Sequence, residues 1–158
     1  MDSRSVRHPG ALRVGLGVLA AGYTVIGGWA LVAPTSFFTD FPAPGLGWVA
    51  GLPPYSQHLL TDFGAALLGL ACVLWLAAVV AERRLAQVAL VGLLVQAVPH
   101  LGFHLVHPGA LPAAQVVASR MALVVPVVLA LALLWLSTRR GVEATRSARP
   151  AAVSGSDR

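Results

Sequence analysis

Apolar residues fill four long stretches of the chain, and polar residues interrupt them only briefly. The stretches cover residues 12–32, 58–80, 85–106 and 114–136. Each supplies the roughly 20 mostly apolar residues that a helix needs to cross a bilayer core. The pattern therefore predicts an all-α fold, an integral membrane four-helix bundle. Glu82, Arg83 and Arg84 form the polar break between the second and third stretches. That break is too short for anything but an antiparallel hairpin, so these two helices are expected to be neighbours. Residues 1–11 read as a cytoplasmic N-terminal segment and 12–138 as the transmembrane domain. Residues 139–158 are small, polar and aperiodic, which predicts a disordered cytoplasmic tail.

The loop over residues 33–57 carries Pro34, Pro42, Pro44, Pro53 and Pro54, with Phe37, Phe38, Phe41, Trp48 and Tyr55 between them. Proline breaks long helices, and aromatic side chains favour the membrane interface. Two readings fit this loop: an anchor on the bilayer surface, or a lid over the end of the bundle.

Composition agrees with the pattern. The chain is 57% hydrophobic and 11% charged, with a mean hydropathy of +0.78, far from the balance of a soluble domain. The net charge of +5 comes from eleven arginines and no lysine. Arg4, Arg7 and Arg13 precede or open the first stretch, Arg83 and Arg84 sit in the hairpin turn, and Arg139 and Arg140 follow the fourth. The loops over residues 33–57 and 107–113 contain none. By the positive-inside rule both termini are expected in the cytoplasm, in a multi-pass protein of the inner (plasma) membrane. The arginines orient the chain rather than bind nucleic acid. A cleaved signal peptide is disfavoured, because the first stretch is longer than a signal core and its removal would reverse the charge pattern. The sole cysteine, Cys72, lies mid-stretch without a partner in the chain and reads as an inert small hydrophobe.

The candidate chemistry gathers at the end opposite the arginines. His58 and Asp62 open the second stretch, and His100, His104 and His107 close the third. At about 100° per residue, the last three span about 60° of helix surface, with Gln96 one turn further in on the same stripe. Pro99 removes a backbone donor beside His100, which predicts a kink that widens a pocket. In the second stretch, His58 and Asp62 continue into Ala65, Ala66 and Gly69. Small residues let helices approach closely in lipid, so this stripe, with Asp62, is expected to face the bundle. A carboxylate inside the apolar zone costs on the order of 2.5–3.5 kcal/mol unless partnered, and Arg120, at similar depth, is the expected ion-pair partner of Asp62.

Three readings fit the histidines. They form a polar network that only stabilises helix contacts. They bind zinc, copper or haem iron through imidazole nitrogen, with Asp62 completing the ligands. Or they titrate in a proton-coupled transporter, which with four short helices requires an oligomer. HLGFH lacks the glutamate of the zinc-protease motif. Phosphate-binding loops, nucleophile elbows and paired-cysteine metal sites are absent too, which leans away from an enzyme. Tyr23 and Thr24 in the first stretch are further candidates to line a pocket.

The runs FPAPGLGWVAGLPPYSQHLLTDFGAALLGLA and VPHLGFHLVHP resemble small four-span bacterial membrane proteins of actinobacterial type, whose activity is not established. The paired-hairpin layout is similar to the DoxX-like superfamily. That second likeness implies a place beside membrane redox and thiol-stress complexes, yet this chain has no cysteine pair for such chemistry. The reading is an accessory membrane protein whose outer pocket binds a metal ion or small polar ligand. His58, Asp62, His100 and His104 are the ligands, His107 lies at the rim, and Gln96 and Arg120 complete the polar set. The alternative of a different class is a structural subunit that contacts a partner membrane protein or a second copy in the bilayer.

Overall fold

The computed structural model describes residues 9–147, with side chains over 10–138. Five helices follow one another: α1 (Pro9–Val32), α2 (Pro34–Asp40), α3 (Gln57–Val80), α4 (Arg83–Val106) and α5 (Ala113–Ser147). Among the described residues every element is a helix. Four of them are long and apolar enough to cross a membrane, over Gly10–Val32, Gln57–Val80, Arg83–Val106 and Ala113–Thr138.

Local chemistry sets the helix ends. The Ser56 hydroxyl accepts a hydrogen bond from the Leu59 N–H at 3.4 Å and opens α3 directly after Pro53 and Pro54. Ala81 closes it in a left-handed conformation (φ 55°), and the extended Glu82 starts α4. The hairpin turn is thus Ala81 and Glu82, shorter than the expected break of Glu82, Arg83 and Arg84, because the two arginines already belong to α4. The short helix α2 was missed in the sequence, although Pro34 at its first position is a helix-start residue. At the far end, α5 continues past the expected stop at residue 136 to Ser147, so the first part of the expected disordered tail is helical. The rest of that tail, residues 148–158, and the segment 1–8 lie outside the described residues.

The helices close a ring. α1 packs most extensively on α3, α3 on α4, α4 on α5, and α5 more lightly on α1, while α2 lies against α1 and α3. Leu16, Leu74, Leu90 and Leu93 are fully buried at the centre. The buried stripe of α3 is Gly64, Leu67, Ala71, Leu74, Ala77 and Ala78. Ala65, Ala66 and Gly69 are exposed, so the helix is rotated away from the expected orientation. The perimeter is lined by exposed Val14, Val18, Val88, Val95, Val128 and Leu131, an apolar surface suited to lipid and unsuited to water.

Polar pairs stitch the helices together, with the Trp75–Thr24 pair on the exposed perimeter. Tyr23 Oη donates to Gln96 Oε1 at 2.9 Å, joining α1 to α4 across the centre. Trp75 Nε1 donates to Thr24 Oγ1 at 3.1 Å, and Gln87 Nε2 to Ser137 Oγ at 3.1 Å. The two loops at the α2 end are joined by the Ala110 N–H, which donates to the Gly51 carbonyl at 2.9 Å. Gly109 makes that approach feasible: its φ is +67°, and a Cβ there would lie 2.5 Å from the Gly51 oxygen.

Candidate functional site: an apolar pocket with a histidine wall

The end of the bundle covered by α2 holds a cavity of about 420 Å³, within the range of small-molecule pockets. α4 forms the polar wall with Gln96, His100 and His104, while Tyr23 from α1 and Ser119 from α5 add two hydroxyls. α3 contributes Leu59, Leu60, Phe63 and Leu67, and α5 adds Ala122, Leu123 and Pro126. The cover is Phe37 and Phe41 of the α2 region with Trp48, Val49 and Leu52 of the loop. Among the described residues no Asp, Glu, Lys or Arg lines it.

An aromatic path runs through this cover onto the histidines. Trp29 and Phe37 lie 5.8 Å apart by ring centroid, Phe37 and Phe63 6.4 Å, Phe63 and His100 6.2 Å, and His100 and His104 4.8 Å. Phe37 is the keystone, with only 3% of its surface exposed. The proline- and aromatic-rich loop therefore caps the bundle.

His100 and His104 stand one turn apart on α4, as their spacing predicted, and both reach the cavity. Neither ring nitrogen makes a hydrogen bond to the described residues. The buried side-chain N and O atoms without a partner are Trp48 Nε1 and Gln115 Oε1, so the imidazole nitrogens face accessible space. Gln96 also lines the cavity, though its Oε1 is taken by Tyr23. Ser119 turns its hydroxyl back to the Val116 carbonyl at 3.0 Å, and Thr24 bonds the Ala20 carbonyl at 2.7 Å, away from the pocket.

The remaining expected site residues lie elsewhere. His58 and Asp62 approach each other at 3.3 Å, but their side chains are 89% and 63% exposed on the outward face of α3. The expected Asp62–Arg120 ion pair does not form. Arg120 Nε donates to the His104 carbonyl at 3.2 Å and Nη2 to the Leu105 carbonyl at 3.0 Å, so the guanidinium serves the C-terminal end of α4 instead. The physical reason is the rotation of α3, which buries Gly64 and Leu67 and turns Asp62 out. His107 stacks on Phe103 at 4.2 Å and lies outside the cavity wall. The five residues expected to hold a metal are thus divided among three places. Among the described residues no three His, Cys, Asp or Glu side chains converge as a metal-ligand set.

Of the two readings of the proline- and aromatic-rich loop, the lid over the end of the bundle is the one that matches the pocket's cover. The contribution of Phe63 carried no signal, because from Phe63 onward α3 is apolar on every side. Compared with known proteins, the chain matches no family model, no curated protein and no solved structure.

Proposed function

We propose that this is a multi-pass membrane protein that binds a small, mainly apolar molecule in the pocket beneath α2. One observation carries the reading. A cavity of about 420 Å³ is walled almost entirely by aliphatic and aromatic side chains and has two unpartnered imidazoles on one side. Apolar walls with a few placed polar groups are the usual make-up of a small-molecule site. A binding function needs no further chemistry from the residues present. The arginine distribution supports an inner-membrane orientation with both termini in the cytoplasm and the pocket on the outer side.

The test is binding of naphthol to the protein in lipid nanodiscs, measured against empty nanodiscs. Saturable one-to-one binding that disappears in Ala122→Trp, a substitution that plugs the cavity from an exposed lining position, supports the reading. Uptake equal to that of empty nanodiscs, or unchanged in Ala122→Trp, overturns it.

A second reading, an interaction subunit, is favoured by the outward face of α3. There the self-complementary His58–Asp62 pair continues into the exposed residues Ala65, Ala66, Gly69 and Cys72. A second copy with α3 alongside can set His58 of each chain near Asp62 of the other, with small residues permitting close approach. Mild oxidation of the protein in its membrane then gives a homodimer linked through Cys72. A chain that stays monomeric under oxidation argues against that contact.

A further inference from the structure

We infer that the pocket selects a neutral hydroxyl compound, an alcohol or phenol on an apolar body, with its oxygen seated between the rings of His100 and His104. This rests on the pocket reading above and adds the chemical class of the occupant.

The charge of the wall decides the charge of the occupant. With no Asp, Glu, Lys or Arg among the described residues lining the cavity, an ionised head group would be buried without a counter-charge, which is strongly unfavourable. The nearest guanidinium, Arg120, is held by the carbonyls of His104 and Leu105. The occupant is therefore neutral.

Its polar atom is then set by what two adjacent imidazoles offer. A neutral imidazole has one N–H donor and one acceptor nitrogen, whichever tautomer it adopts. The His100 and His104 rings lie side by side on the cavity wall, 4.8 Å apart at 77°. Neither ring bonds a described protein group, so one N–H and one lone pair are both on offer. A hydroxyl uses both, accepting from one ring and donating to the other. A ketone or an ether uses only the donor and leaves an acceptor nitrogen unmatched. Phe63 flanks His100 at 6.2 Å and Leu123 and Pro126 of α5 line the same cavity, so apolar surface borders the polar notch. The body of the ligand extends from there toward Phe37 and Phe41.

The experiment compares naphthol, methoxynaphthalene and ethylnaphthalene, of similar shape, titrated into the protein in nanodiscs. Naphthol is expected to bind about tenfold more tightly than methoxynaphthalene, the gain of about one net hydrogen bond. His100→Phe and His104→Phe, with His104→Leu as a second substitution, are each expected to erase that advantage while ethylnaphthalene still binds, which also reports a folded pocket. Equal affinity for naphthol and methoxynaphthalene in the unmodified protein overturns the inference, as does an advantage that survives all three substitutions. If none of the three compounds binds, the pocket reading itself fails. Competition identifies the source of the occupant: displacement of naphthol by bilayer-resident farnesol or by water-soluble phenylethanol supports the hydroxyl site and tells which phase feeds it, and displacement by neither overturns it.

Discussion

Gly27 of α1 and Gly64 of α3 meet so closely that neither position has room for a methyl group. A Cβ on Gly64 would lie 2.8 Å from the Gly27 carbonyl oxygen and 2.6 Å from the Leu31 nitrogen, and one on Gly27 would lie 2.9 Å from the Gly64 oxygen. Backbone atoms cannot step aside as a flexible side chain can. Gly64→Ala and Gly27→Ala are therefore expected to destabilise the bundle by about 1–3 kcal/mol each, the usual cost of overpacking. Gly69, on the same helix, would meet nothing within 4 Å, so Gly69→Ala is expected to be neutral or to stabilise by up to about 1 kcal/mol. Reversible unfolding in mixed micelles reads the contrast, and similar effects at Gly64 and Gly69 would refute the crossing.

Arg120 and Asp62 are expected to act independently. Removing the Arg120 bonds to the two α4 carbonyls in Arg120→Leu should destabilise by roughly 1–2 kcal/mol, whereas Asp62→Asn at an exposed pair should stay within about 0.5 kcal/mol. The double variant should then equal the sum to within about 0.5 kcal/mol. A larger coupling in the same unfolding assay would restore the ion pair that the geometry does not show.

Phe37 is expected to hold the cover in place. Phe37→Ala should destabilise by about 3–5 kcal/mol, as for other buried aromatic truncations, and should weaken naphthol binding. Phe38, which is only partly buried and leans on Tyr55 at 5.2 Å, should matter less when truncated. A Phe37→Ala protein that retains both stability and probe affinity would show that the loop does not seal the pocket.

Zinc, copper and iron are expected in less than stoichiometric amounts in purified protein, with no change in a His100→Ala/His104→Ala variant. Two imidazoles without a third described ligand make a weak site compared with the three or four ligands usual for these metals. Elemental analysis that finds one metal per chain, lost in the double variant, would contradict this.

Much of the architecture was legible in the sequence. The four long helices start within three residues of the expected positions, the hairpin turn falls at Glu82, and His100 and His104 share a face with Gln96. What was not legible is rotation. Where a helix is apolar on every side, as α3 is beyond Asp62, the hydrophobic pattern has no preferred direction. Two small-residue stripes competed there, one through Ala65, Ala66 and Gly69 and the other through Gly64, Ala71 and Ala78. The second is buried because Gly64 has a glycine partner on α1, a relationship between segments that spacing within one segment does not express. The error moved Asp62 and His58 outward and took half of the expected site with them. The continuation of α5 past residue 136 was hidden for a different reason: polar residues end a membrane span without ending a helix.

Two of the arginines that were read as signs of orientation, Arg13 and Arg83, also act as clasps, and so does Arg120. Arg13 reaches the Val79 carbonyl at the end of α3, Arg83 the Thr138 carbonyl on α5, and Arg120 two carbonyls at the end of α4. Each crosses from its own helix to a neighbour, and Arg120 spans two acceptors with one planar fork, which a lysine ammonium cannot reproduce in the same geometry. In a chain with eleven arginines and no lysine, replacing these three arginines by lysine would therefore keep the charge while loosening the joints between helices.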